Sequence, residues 1–208
     1  MAVVAQCFDA DEEFSPQSIS NIVNAYAKAD MVQEAIPLFE HMALATQMVP
    51  PAEFNAQAVA NILNGFGKVA RQLQHLEAQV DVPAVFAHLS AAAITIEPAT
   101  LDMQNIANII NALAKTYTYD VALLKHLALA LRANAAPEDD GSGASLVQPD
   151  LSHDTQAMAN IMHAIAILNH RDELDAMMPL LIPHIRRLSF DDSRSSAQVT
   201  DNVSYTCS

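Results

Sequence analysis

Four stretches of the chain repeat one arrangement of apolar and polar positions: QSISNIVNAYAK at 17–28, QAVANILNGFGK at 57–68, QNIANIINALAK at 104–115 and QAMANIMHAIAI at 156–167. At about 100° per residue, Ile19, Ile22, Val23 and Tyr26 of the first copy fall on one side of a helix. Val59, Ile62, Leu63 and Phe66, then Ile106, Ile109, Ile110 and Leu113, then Met158, Ile161, Met162 and Ile165 do the same in the others. The spacing predicts an amphipathic α-helix in each copy. Its start is marked too: Ser15, Asn55, Asp102 or Asp154 stands two residues before the Gln, and each is a favoured N-cap worth about 1 kcal/mol over Ala. Phe14, Phe54 and Leu101 precede three of these caps, placed to staple onto Ile19, Val59 and Ile106. His153 breaks that rule in the last copy, and Pro16 occupies a first helical position, where its missing N–H costs nothing.

One helix cannot bury its own stripe, and a second apolar segment follows each copy, at 31–46, about 82–94, about 119–133 and about 172–188. These align on His41, His88, His126 and His184. The repeating Gln residues are 40, 47 and 52 positions apart, a helical-repeat period stretched by insertions. The predicted fold is all-α: a right-handed α-solenoid of about four helix-pair repeats. The repeats run over about 14–49, 50–97, 98–133 and 151–188, within a helical domain at 14–188. Residues 69–81 are an insertion suited to lengthening a helix of the second repeat. Residues 1–13 form an acidic N-terminal segment, 134–150 (containing PEDDGSGAS) a flexible acidic loop, and 189–208 a disordered tail.

Composition supports this reading. The chain of 208 residues is 51% hydrophobic and 16% charged, with 4 Gly, 5% aromatics and no Trp, a mix suited to helices and poor in residues that strands favour. No apolar run reaches the roughly 18–20 residues that cross a bilayer, and MAVVAQCFDADEEF turns acidic where a signal or transit peptide would be basic. Cys7 and Cys207 form neither a disulfide framework nor a zinc motif. The net charge of −14 is concentrated: eleven of those charges fall in 1–13, 134–154 and 189–208, leaving the periodic body close to neutral.

The repeat resembles the octotricopeptide and heptatricopeptide repeats found alongside RAP and FAST-kinase-like domains, and the helical repeats of kinetoplast RNA-editing accessory proteins. NAYAKADMVQEAIPLFEHM at 24–42 also looks like a pentatricopeptide repeat. These resemblances imply binding of single-stranded RNA in mitochondrial or plastid RNA processing or translation. The copies are similar, too, to the SKWP-repeat effectors of plant-pathogenic bacteria, although Ala114-Lys115 and its neighbours lack the Trp-Pro ending. That resemblance implies a protein-interaction scaffold, cytoplasmic or secreted into a host cell.

The same angular arithmetic places the Gln, both Asn and the Lys of each copy within an arc of about 60° opposite the apolar stripe. Gln17, Asn21, Asn24 and Lys28 form one such line; Gln57, Asn61, Asn64 and Lys68 form the next; Gln104, Asn108, Asn111 and Lys115 the third. The fourth, Gln156, Asn160, His163 and Ile167, has lost the cation. Asn is a poor residue inside a helix, at about 0.7 kcal/mol against Ala, so its recurrence needs a cause. As an RNA face, Gln17, Gln57, Gln104, Asn24, Asn64 and Asn111 would hydrogen-bond the strand while Lys28, Lys68 and Lys115 neutralise phosphates. As architecture, the asparagines would hydrogen-bond from repeat to repeat, with each Lys favoured at a helix C-terminus. Ladders so nearly identical suit backbone contacts better than base reading. Ser18, Ala58, Asn105 and Ala157 are the variable neighbours through which a sequence reader would act.

Gly65 and Gly67 predict close helix approach, and Tyr117 and Tyr119 are candidates for base stacking or for edging the core. One histidine per repeat does not converge on a metal, because packed helices stand about 8–10 Å apart and zinc holds its ligands at about 2 Å. No motif calls for a cofactor or for catalysis. The acidic segment at 134–154 is placed to compete with phosphate for the lysines.

Overall fold

Local chemistry starts the helices where the sequence marks them. In the computed structural model, which describes residues 14–134, 152–168 and 172–187, α1 (Pro16–Ala29) is capped by the Ser15 hydroxyl, which accepts from the Ser18 N–H. The Asn55 Oδ1 caps α3 (Ala56–His75) by accepting from Ala58 N–H at 2.8 Å. Asp102 caps α5 (Met103–Thr116) through Asn105 N–H at 2.7 Å. Single 3-10 turns at Pro51–Glu53 and Pro98–Thr100 set the entry of the chain into α3 and α5. The remaining helices are α2 (Ile36–Met48), α4 (Val82–Thr95), α6 (Val121–Asn134), α7 (Ser152–Leu168), α8 (Asp172–Asp175) and α9 (Met178–Arg187). The described residues are all helix, turn and loop, with no strand.

Several boundaries differ from expectation, each for a local reason. The second helix of the first repeat begins at Ile36 rather than 31, because Pro37 is tolerated only in a first turn. Pro179 divides the expected helix at 172–188 into α8 and α9 in the same way. Helix α7 starts at Ser152, before the expected cap Asp154, since an acidic residue is also stabilised inside a first helical turn by the helix dipole. The insertion at 69–81 does lengthen a helix: α3 runs on through His75. The expectations for 1–13, 134–150 and 189–208 fall on or extend into segments outside the described residues, apart from Asn134, the last residue of α6.

The first helices pack in chain order, α1 on α3, α3 on α5 and α5 on α7, and the second helices do so alongside them, α2 on α4 and α4 on α6. Between these rows lies the core. All of Val59, Ile62, Leu63, Phe66, Ile106, Ile109, Ile110, Leu113, Met158, Ile161, Met162 and Ile165 are buried, each contributing roughly 1.5–3 kcal/mol. In α1, Ile19 and Val23 are buried while Ile22 and Tyr26 are half-buried, having no described helix on their far side.

Two of the aligned histidines, His41 and His88, are packing residues. Phe14 meets His41 edge-on with ring centroids 5.5 Å apart, and Phe54 meets His88 likewise at 5.9 Å. Thus in the first two repeats the residue before the N-cap clasps the second helix of its own repeat. His88 Nε2–H donates to the Val49 carbonyl at 2.8 Å, tying the second repeat to the end of α2. His126 is half-buried and its Nε2 has no partner; the side chain of His184 lies outside the described residues.

Two glycines set the spacing of the first-helix row. A Cβ on Gly65 would stand 2.5 Å from Val23 Cγ1, and one on Gly67 would stand 3.1 Å from the Ala112 Cα and Cβ. Gly costs a helix interior about 1 kcal/mol against Ala, so close approach is what these positions hold. We predict that Gly65→Ala destabilises the protein by about 1–3 kcal/mol in spite of its better helix propensity. Combined with Val23→Ala, which removes the clashing methyl, the losses should add to less than their sum. Strict additivity in denaturant unfolding would contradict the contact.

Candidate nucleic-acid interface

Stacking the first helices brings their outward sides together. Gln17, Gln57, Gln104 and Gln156 are exposed, as are Asn21 and His163. Asn61, Asn108 and Asn160 are half-buried, and so are Asn24, Asn64 and Asn111. Lys28 and Lys68 are exposed, while Lys115 is half-buried. In the third and fourth copies the first two positions of the line bond along the helix: Gln104 Nε2 donates to Asn108 Oδ1 at 3.1 Å, and Gln156 Nε2 to Asn160 Oδ1 at 3.0 Å.

The hydrogen-bonded asparagine ladder expected as the architectural alternative is not formed. Among the described residues no hydrogen bond joins an Asn of one copy to an Asn of the next. The reason lies in what fills the contact line. Gly67 and Ala112 meet there, and Asn64, one turn earlier on α3, stands beside that contact. The Asn64 Oδ1 is buried without a partner. An unpaired buried amide oxygen costs about 1–3 kcal/mol.

The lysines do come together. Burial, and after it the field of Lys28, lowers the Lys68 pKa; burial, and after it the field of Lys68, lowers that of Lys115. The three amines therefore lie in chain order, each within electrostatic reach of the next. Among the described residues none has an acidic partner. A dipole explanation covers Lys28 and Lys115, which sit in the last turns of α1 and α5. It does not cover Lys68, because α3 continues to His75 and the dipole acts within about one terminal turn.

The surroundings sharpen this. In a chain of net charge −14, α1, α3 and α5 contain no Asp or Glu, and their cations are Lys28, Lys68, Arg71 and Lys115. Arg71 was not among the residues expected to act, yet the signal was present: continued at about 100° per residue along the lengthened α3, Arg71 falls within about 60° of Lys68, and His75 follows on the same line. Asp30, the nearest acid after Lys28 in sequence, caps α1, and its Oδ1 accepts from Gln72 Nε2 at 3.2 Å.

Beyond Lys115 the polar line meets a cleft of about 710 Å³ between the last turns of α3, the loop leading into α4 and the end of α5. Tyr117 stands at its edge. The Arg71 guanidinium lies over the Tyr117 ring, 5.7 Å from its centroid, and Arg71 Nη2 donates to the phenolic oxygen at 3.2 Å. Tyr119, the other tyrosine considered for stacking, is half-buried against the core.

No group of three or more His, Cys, Asp or Glu able to hold a metal occurs among the described residues, nor any helix long and apolar enough to cross a membrane. Compared with protein-family models, curated proteins and solved structures, the chain finds no match.

Burial, and after it the neighbouring amine, gives Lys68 and Lys115 a cost that can be measured. Lys68 and Lys115 bind their protons less tightly in the folded chain than in the unfolded one. The penalty is present in full below their folded pKa values and is relieved as pH rises through them toward the ordinary 10.5. The unfolding midpoint of the wild type should therefore gain, as pH rises toward 10.5, relative to a Lys68→Gln/Lys115→Gln variant. At neutral pH the variant should be at least as stable as the wild type. A less stable variant at neutral pH would show that the amines support the fold rather than burden it.

Proposed function

We propose that the protein is a non-catalytic RNA-binding module, a right-handed α-solenoid of four helix-pair repeats that holds single-stranded RNA along its Gln/Asn/Lys line. One observation carries the reading: Lys28, Lys68 and Lys115 follow one another along a row of helices whose first three members are free of carboxylates, Lys68 within the field of Lys28 and Lys115 within that of Lys68, with no described acid to neutralise them. A polyanion relieves such repulsion by neutralisation and gains from released counterions. Exposed Gln17, Gln57 and Gln104 and half-buried Asn24, Asn64 and Asn111 then supply hydrogen bonds to sugars, phosphates and base edges. The near-identity of the lines favours contacts to the RNA backbone over a base-by-base code. The resemblance to octotricopeptide-like repeats supports a setting in organellar RNA processing or translation, in a mitochondrion or plastid.

A second reading is supported by a different surface. Leu44 and Met48, one turn apart on α2, are exposed at 62% and 83%, apolar side chains open to a protein partner. Here the module is an interaction scaffold, in the manner of a translocated SKWP-repeat effector, cytoplasmic or delivered into a host cell. Partners that survive nuclease treatment in a pull-down favour this reading, and partners that disappear with the RNA count against it.

Titration with labelled single-stranded RNA over a range of salt concentrations tests the first. Affinity should fall steeply with salt, and Lys28→Ala/Lys68→Ala/Lys115→Ala should flatten the logarithmic slope by about two, at roughly 0.7 for each phosphate left without its lysine. No binding at low salt, or binding indifferent to the triple change, would discard it.

A further inference from the structure

The cleft beside Lys115 has features that a solvated surface hollow does not need. Its volume of about 710 Å³ is in the range that holds small organic ligands, about 300–1,000 Å³. Leu73, Val80 and Val82 give it an apolar wall, and Arg71 and Lys115 bring two cations to its lining, against one carboxylate, Glu77. Lys115 belongs to this cleft and to the lysine line at once, so the two are continuous.

Tyr117 is the one aromatic residue of the lining, and with Glu77 it is one of two there in the left-handed backbone region. It ends α5 with φ 53° in the left-handed region, where Gly or Asn is the usual choice and a bulky side chain is strained. Its ring nevertheless stays 66% exposed, so the strain is not offset by burial in the core. Instead Arg71, from 46 residues earlier in the chain, holds it by a face contact and a hydrogen bond to the hydroxyl. An aromatic ring fixed in this way, open to solvent on its remaining surface and flanked by two cations, has the form of a stacking platform.

We propose that this cleft takes one unstacked nucleotide of a bound single strand, its base stacked on Tyr117 and its phosphate between Arg71 and Lys115. The inference rests on the RNA reading and adds a place where the strand turns off the lysine line and one base leaves the stack. Base stacking is tolerant of sequence, which fits a platform next to lines that vary little between repeats.

Two substitutions in the full chain separate a binding role from a structural one. Tyr117→Gly removes the ring and relaxes the left-handed backbone, so the protein should melt no lower than the wild type, yet its affinity for single-stranded RNA should fall about tenfold or more. The salt slope should stay as it was, because every phosphate keeps its cation. Tyr117→Phe keeps the stacking face and should retain most of the affinity. In wild type, RNA carrying 2-aminopurine at successive positions should show one position whose fluorescence changes distinctly on binding, and Tyr117→Gly should abolish that change. Unaltered affinity and fluorescence in Tyr117→Gly, with binding still dependent on the three lysines, would overturn the cleft and leave the lysine line standing. Failure of the wild type to bind RNA at all would remove both.

Discussion

The separation of the first helices is the constraint from which the remaining surface follows. Val23 presses into the space left by Gly65, and Ala112 into that left by Gly67, so α1, α3 and α5 approach more closely than side chains of ordinary size permit. Hydrophobic burial drives that approach, since the stripes of three helices are buried completely only when the row is assembled. The polar positions have no say in it. Their spacing is inherited from the small residues, and three lysines that local sequence places on three separate helices are thereby brought within range of one another.

That inheritance makes the lysine line costly. Surface cations in an acidic protein are easily paired, and twenty-four carboxylates against ten basic side chains leave no shortage of partners. Yet α1, α3 and α5 carry none, and Lys68 and Lys115 hold their protons less tightly, through burial first and the lysine of the preceding helix second. A purely architectural helix face has no reason to keep like charges in register, because substituting any one of them by Gln would relieve the repulsion. The pattern runs through three copies, including the one in which the helix continues past its lysine, and it is on this that the proposed RNA reading rests.

How much of this could be read from the sequence depended on the range of the interaction involved. The caps Ser15, Asn55 and Asp102, the stripes and the pairing of helices are local or periodic and were legible. So was the packing role of the glycines, because glycine inside a helix is unfavourable unless something needs the room. Boundaries moved where one residue has two permitted places: Pro37 and Pro179 suit a first turn as well as a loop, and Asp154 suits a first turn as well as a cap. The asparagine ladder failed for a different reason. Angular position alone put Asn64 and Asn111 on neighbouring lines, but whether two short amides meet depends on which residues occupy the contact, and Gly67 and Ala112 took it. Arg71 lies beyond the twelve positions that the copies share, where only the continued helical angle points to it.

The lengthened α3 shows how an insertion changes a repeat without disturbing the core. Two further turns keep Val69 and Leu73 buried, so the added segment is anchored by the same stripe that anchors the rest of the helix. Because the polar line is locked to that stripe by helical geometry, extending one extends the other, and Arg71 is carried out to the level of the turn after α5. Tyr117 is waiting there only because α5 stops at Thr116. The contact between them is thus the product of one helix running on and its neighbour ending, a mismatch that a row of equal repeats lacks, and it is at this mismatch that the otherwise uniform face acquires a cleft.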